Sequence, residues 1–353
     1  MKSVIDTRPK LTTSVIIPVR NGCESLSLCL RSISETMPPP DEIIVVADGG
    51  EDGFKNQVKE LDIKFLATPI EDGPAQARNV GAWEAQGDIL FFVDSDVTIP
   101  PDAITQITTA FEREPDLAAL FGTYDDAPAA TNFLSQYKNL FNHYVHQSAG
   151  EQASTFWGAC GAIRREVFLA MAGFNMSYRR PTIEDVELGY RLKQSGYRIR
   201  MCKTLQVKHL KRWGVVSLLQ SDFFDRALPW TELTLRNRHF INDLNLKVSS
   251  RMSVMLIYGL LGLMLGAWWW SGAIVVAGVL SLSLLALNVP LYRFFQRKRG
   301  LWFTLRVVPW HWFYYFYSGL AFAIGVMRYL FSGRRLPLPD VPKSALRKGV
   351  VDH

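Results

Sequence analysis

Between Met252 and Tyr292 the chain contains no Asp, Glu, Lys or Arg. A stretch that is apolar on every side and longer than one bilayer crossing does not suit the core of a soluble domain. A crossing takes about 20 such residues, so the block predicts a hairpin of two membrane helices. Trp268, Trp269, Trp270 and Gly272 fall at its middle, where a tight turn would present an aromatic belt to the interface. Arg293, Arg297, Lys298 and Arg299 follow at once, which places that end on the cytoplasmic side. A third apolar segment, 307–327, is also long enough to span. Its Pro309, His311 and run of aromatics from Trp310 to Tyr317 suit the membrane surface equally well. Two or three transmembrane helices are expected, with the third segment read as a span.

The rest of the 353 residues leaves room for one large domain ahead of the hairpin. The formal net charge is +6, but the basic residues crowd into 236–251, 293–299 and 328–348, beside the apolar blocks. That is the pattern of membrane-adjacent loops. No basic stripe interleaved with aromatics marks the front half, so nucleic acid is not an expected partner. Cys23, Cys29, Cys160 and Cys202 show neither metal-ligand spacing nor a disulfide framework, and read as small hydrophobes in a reducing compartment. The N-terminus has no apolar stretch of signal-peptide length. The expected organisation is a cytoplasmic catalytic domain over 1–210, an amphipathic interfacial linker over 211–251, a membrane domain over 252–331 and a basic tail over 332–353. The expected location is the inner (plasma) membrane, with multiple passes.

The front half alternates strand and helix patterns, which predicts an α/β fold with a parallel-rich sheet. Strands are expected at 14–19, 42–47 and 63–66. Asn21-Gly-Cys-Glu24 reads as a capping box ahead of Leu26, Cys29, Leu30 and Ile33 at helical spacing. Residues 74–86 read as a helix stopped by Gly87. Ile89-Leu-Phe-Phe-Val93 is a continuous apolar run suited to a strand covered on both faces. It ends in Asp94-Ser95-Asp96. Further elements run to 198–202, and 213–235 reads as an aromatic-rich amphipathic stretch at the membrane surface.

Two carboxylates at the carboxyl end of a buried strand lie where open α/β sheets bind ligands. Their oxygens suit a hard divalent cation, and the cation suits a diphosphate. Asp48 ends the second strand ahead of Gly49 and Gly50. It is either a donor-binding carboxylate or an ordinary polar turn residue. Arg78 near the start of its helix is either a solvated charge or a phosphate contact. Glu184 and Asp185 open a helical pattern, as dipole-complementing acids often do, or as a carboxylate poised to take a proton. Trp157 and Gly158 offer an aromatic platform for a sugar face, or a bulged core strand. His209, Arg212 and Trp213 follow the last strand, and can serve a metal, a diphosphate and an acceptor, or simply lipid headgroups.

In their order, Val15-Ile-Ile-Pro18-Val19, Asp48 with its glycines, Arg78-Asn-x-Gly81, Asp94-Ser95-Asp96 and Glu184-Asp185 resemble the motifs of the inverting GT-A glycosyltransferases of family two. His209-x-x-Arg212-Trp213 is similar to that family's Gln-x-x-Arg-Trp motif, with His in place of Gln. The resemblance covers roughly residues 12–235. It implies a GT-A, Rossmann-like nucleotide-binding domain followed by C-terminal transmembrane helices. It implies a membrane-bound inverting hexosyltransferase of glycolipid or cell-envelope synthesis, using a UDP- or GDP-sugar and a lipid or lipid-linked acceptor. The site residues it implies are Asp185 as base with Glu184 beside it, and Pro18, Asp48, Arg78, Asp94, Ser95 and Asp96 toward the nucleotide-sugar. Trp157, Gly158, Arg212 and Trp213 would face the acceptor. Mg²⁺ or Mn²⁺ would sit on Asp96 and Asp94, with His209 as a further ligand. The His at 209 and the small number of membrane segments speak against a processive polymer synthase. A nucleotidyltransferase would share the acidic metal site but leave Glu184-Asp185 and Arg212-Trp213 without a role. A non-catalytic scaffold built on such a domain would have no need of Asp96 or Asp185.

Overall fold

The computed structural model describes residues 10–20, 25–50, 62–237, 247–270 and 272–331. The capping box expected at Asn21–Glu24, the centre of the hairpin turn at Ser271 and the basic tail 332–353 lie outside the described residues, as does 238–246 of the linker.

The front unit opens with β1 (Thr13–Val19), α1 (Leu26–Ser34), β2 (Glu42–Ala47), β3 (Lys64–Ala67), α2 (Pro74–Glu84) and β4 (Ile89–Val93). It continues with β5 (Val97–Thr98), α3 (Ala103–Arg113), β6 (Leu117–Tyr124), α4 (Phe133–Gln147), β7 (Cys160–Arg164), α5 (Arg165–Ala170), α6 (Glu184–Gln194) and β8 (Arg198–His209). The strands form one sheet in the order β3-β2-β1-β4-β7-β6-β8-β5.

All of β1 and β4 is buried, because helices cover both faces of the sheet. The pleat sends alternate residues to opposite cores. Val15, Ile17, Phe91 and Val93 pack with α1 and α3, whereas Ile16, Leu90 and Phe92 pack with α2, α5 and α6. In α1 the buried residues are Leu26, Cys29, Leu30 and Ile33, the stripe that the helical spacing predicts. Cys29 and Cys160 are buried thiols, and the Cys202 thiol is half-buried. The sheet is more mixed than the sequence suggests. β3, β2, β1 and β4 pair in parallel, but β7 runs antiparallel between β4 and β6, and β5 antiparallel on β8. Alternation of strand and helix does not encode this reversal, because strand direction depends on which neighbours pair and not on the local pattern.

After β8 come α7 (Val215–Gln220), a π-helical turn (Ser221–Ala227) and α8 (Leu228–Asn237). α8 packs on the α/β unit: Trp230 Nε1 donates to Tyr190 Oη of α6 at 3.3 Å, and Leu233 joins Ile183 and Tyr178 in one cluster. Two long apolar helices follow, α9 (Val248–Gly266) and α10 (Ala273–Phe331). Both meet the length and apolarity of a membrane crossing. α10 is broken at Gly300, whose φ of 82° lies in the left-handed region that glycine adopts without strain, so it has two arms, 273–299 and 301–331.

Candidate active site

The site forms where β4, β6 and β8 end. The backbone N–H of Asp94 donates to Ala159 O at 3.2 Å, anchoring the strand end to the segment before β7. Val97 of β5 pairs with His209 of β8, and Leu210 N–H donates to Asp96 O at 2.8 Å. This pairing is what brings Asp96 to His209, with Oδ2 and Nε2 3.6 Å apart.

Arg78, on α2, joins the two acidic motifs. Its guanidinium donates to Asp94 Oδ1 at 2.6 Å and to Glu184 Oε1 at 2.8 Å, with its side chain only 5 % exposed. Glu184 Oε2 accepts the Thr182 N–H at 2.9 Å, so its carboxylate is shared between a buried guanidinium and a backbone N–H. Asp185 is differently placed. Oδ2 accepts the Gly158 N–H at 2.9 Å and Oδ1 accepts that of Val186 at 2.7 Å. Burial, with the Glu184 charge beside it, pushes its carboxyl up to about 6, against the Gly158 N–H and the cations Arg226 and Arg78. Burial also pushes Asp94 up, though Arg78 opposes this. For Asp96 burial is outweighed by the hydrogen bond and charge of His209 and by Lys211, so its carboxyl lies below the usual range.

The remaining sequence candidates fall in distinct places. Pro18 is buried in β1 beyond the last β1–β4 pair, where the ladder no longer requires the N–H it lacks. Asp48 is 5 % exposed, and its carboxylate accepts the N–H groups of Asp72 and Gly73 at 3.1 and 3.0 Å. It therefore shapes the loop leading into α2. Gly73 has φ +93°, and a Cβ there would meet the Arg179 backbone at 2.6 Å, so this turn also touches the segment ahead of α6. Ser95 is partly exposed. Trp157 stands edge-on to Tyr124 with centroids 4.7 Å apart, and Gly158 donates to the base candidate. Trp213 is 6 % exposed; its N–H donates to Ser135 Oγ and its carbonyl accepts from Asn132 of the α4 cap. It is thus an anchor, and Arg212 beside it is exposed. Lys211 Nζ lies 4.3 Å from the Trp213 ring centroid.

Sequence reasoning missed Tyr124. It ends β6, stacks on His209 at 4.4 Å, and is pushed well above the usual tyrosine range by burial and then by Asp96, Asp94 and Asp185. The charges of those three acids all act on this one phenol. Arg226 of the π-helical turn was missed too, and its charge acts on both Asp185 and Tyr124. Neither has a sequence signal, since a π turn has no residue pattern of its own and often marks a functional site.

For a divalent cation, Asp96 offers a carboxylate that suits Mg²⁺ or Mn²⁺, and His209 an imidazole nitrogen that suits a transition metal such as Mn²⁺ better than Mg²⁺. Their 3.6 Å separation is close to the roughly 3 Å between adjacent ligands at about 2.1 Å from one ion. Asp94 gives one oxygen to Arg78, and among the described residues no group of three or more His, Cys, Asp or Glu is placed to hold a metal alone. The pair fits an ion whose other ligands come from a bound phosphate chain.

A mixed α/β sheet with an acidic turn at the end of its central strand, facing a carboxylate at a helix start, defines the GT-A glycosyltransferase class. Residues 14–171 match the family model "Glycosyl transferase family 2", and the α/β unit is a domain of that family. Among its relatives is the glucosyl-dolichyl phosphate glucuronosyltransferase of Haloferax volcanii, 24% identical over 53% of this chain and 64% of that protein. The succinoglycan biosynthesis protein ExoA of Rhizobium meliloti is 26% identical over 62% of this chain and 69% of its own length. The chain thus spans about two thirds of these relatives. The structure is similar to the mannosyltransferase of Pyrobaculum calidifontis in complex with GDP-Man and Mn²⁺, with a TM-score of 0.52 and 14% identity, over 92% of this chain and 89% of that one.

Proposed function

We propose that this chain is a membrane-bound inverting hexosyltransferase, moving a sugar from a UDP- or GDP-sugar to a hydroxyl of a lipid or lipid-linked acceptor at the inner membrane. The observation that supports this best is the Asp94–Arg78–Glu184 bridge, which ties the acidic strand end to the helix start bearing Asp185. The Pyrobaculum neighbour holds a nucleotide-sugar with Mn²⁺, and the Haloferax relative is named for a lipid-phosphate sugar. α9 and the first arm of α10 supply the membrane hairpin.

In this reading Asp96 and His209 would hold Mg²⁺ or Mn²⁺, which supplies charge neutralisation of the departing diphosphate. Arg78 orients Asp94 toward the donor, and Asp48 fixes the loop from which α2 starts. Trp157 and Tyr124 wall the space between donor and base. Asp185, with its carboxyl held near neutrality, accepts the acceptor's proton. The freed oxygen attacks the anomeric carbon opposite the leaving group, so the configuration inverts. Arg226 and Lys211 bring positive charge to the same mouth.

The test is Asp185→Asn, which keeps size and hydrogen bonding but cannot take a proton. Donor affinity by calorimetry should stay within about twofold, while nucleoside diphosphate release falls roughly 10²-fold or more. Turnover near the normal rate would move the base elsewhere. Release of pyrophosphate instead of nucleoside diphosphate would make the chain a nucleotidyltransferase.

A further inference from the structure

The second arm of α10, 301–331, runs first along α4 of the α/β unit and then along the π turn and α8 that pack on it. Near its start, Phe303 packs on Phe133 of α4 at 5.1 Å, and Arg306 lies over the same ring at 4.3 Å. Further on, Tyr314 meets Phe141 at 5.2 Å. Tyr317 Oη then donates to Asp222 Oδ2 at 2.8 Å, and Asp222 in turn accepts from Lys138 Nζ of α4 at 2.6 Å. At Gly325 a Cβ would come within 2.8 Å of Thr231 on α8. From 303 to 325 a helix advances about 33 Å, which is more than the hydrocarbon thickness of about 30 Å. A spanning helix that begins on the domain at Phe303 would have left it entirely by Gly325.

The other two helices behave differently. They pair with each other, Ser253 to Asn288 at 3.1 Å. α9 meets the second arm through Val254 and Tyr258, and the first arm of α10 meets that second arm and α4 from Leu284 onward, through Leu291, Tyr292 and Phe295. Beyond that crossing they are bare: Leu265, Trp268 and Ile274 are 74%, 88% and 70% exposed. On the second arm, one face (Thr304, Val307, His311, Ala321, Gly325) is buried against protein, while Trp302, Phe313 and Leu330 on the other side are exposed.

We infer that residues 301–331 do not cross the membrane but lie in the plane of its inner surface, clamped to the α/β unit on one face and seated in the lipid headgroup and upper acyl layer on the other. The occupant of the outer face is the bilayer, because that face runs into the bare apolar surface of the hairpin and is flanked by the exposed Arg306 and Arg328. The arm then serves as a floor between α/β unit and lipid. Through Asp222 it fixes the same π turn that presents Arg226 to Asp185, so the mouth of the active site opens at headgroup level. This inference rests on the membrane reading given above.

The test uses the full chain in vesicles of phosphatidylethanolamine and phosphatidylglycerol, with Cys23→Ser and Cys202→Ser and single spin labels at Trp302→Cys, Phe313→Cys and Leu330→Cys. All three side chains are exposed, so none of the changes empties a core. An in-plane arm gives three similar depths, each within about 10 Å of the phosphates, with 302 and 330 both reached by an impermeant reagent on the α/β side only. A label at 313 about 15 Å deep between two shallow ends, or 330 reached only from the opposite side, overturns the inference and leaves the membrane reading intact. Failure of the unlabelled chain to stay with vesicles after a high-salt wash overturns the membrane reading, and this inference with it.

Discussion

Two regions bury polar side chains, and they do it with opposite chemistry. In the α/β unit the buried group is a full charge, Arg78, held between Asp94 and Glu184. Between the apolar helices the buried groups are neutral. Asn288 donates to Ser253, Tyr315 Oη donates to Asn288 Oδ1 at 2.8 Å, and Tyr292 Oη lies 3.2 Å from His311 Nδ1. The difference follows from what else is present to solvate charge. The α/β site has backbone N–H groups, a helix start and a partner acid on each side of the guanidinium. The helices have only one another, so hydrogen bonds without net charge hold their register. The Lys138–Asp222 pair sits at the seam, where Tyr317 of the arm donates to a carboxylate already paired within the α/β unit.

The strongest way to break this comparison is Arg78→Met. It leaves the buried Glu184 and the half-buried Asp94 without their cation, and thermal unfolding in detergent should show a loss of roughly 3 kcal/mol. Equal stability would mean that the pocket is wet enough to solvate the two acids.

A second measurement sharpens the contrast through pH. Only the unprotonated Asp185 can act as base, so turnover should rise about tenfold per pH unit up to about 6 and level off above it. Stability should move the other way. A carboxyl whose folded pKa stands above its unfolded value contributes stability that is present at low pH and lost as pH rises through about 6. A turnover profile flat between pH 5 and 7 would show that Asp185 has no raised pKa.

The smallest effect is expected in the neutral network. Tyr315→Phe removes the hydroxyl that donates to Asn288 but keeps the ring, and should cost about 1 kcal/mol in unfolding, with turnover unchanged. A loss as large as that of Arg78→Met would show that the neutral network bears as much as the charged one.

What the sequence determined alone was everything written in short-range patterns. The buried run ending at Asp94 marks a strand and its ligand-binding end. Its five consecutive apolar residues, rich in β-branched and aromatic side chains and following Gly87, are too short for a helix and suit a strand covered on both sides. The spacing of Leu26, Cys29, Leu30 and Ile33 marks a helix face, and the uncharged block from Met252 to Tyr292 marks two crossing-length helices. Family resemblance then ordered the acidic residues. Tertiary structure decided which partner each polar group has, because those partners lie far apart in the chain. It turned Asp48 to the N–H groups of Asp72 and Gly73, and spent both oxygens of Glu184 on Arg78 and Thr182. It buried Trp213 against α4 and stacked Tyr124, the end of a buried strand, on His209. It also laid 301–331 along the α/β unit. Hydropathy reports how apolar a helix is, whereas its direction depends on which surfaces its two ends touch.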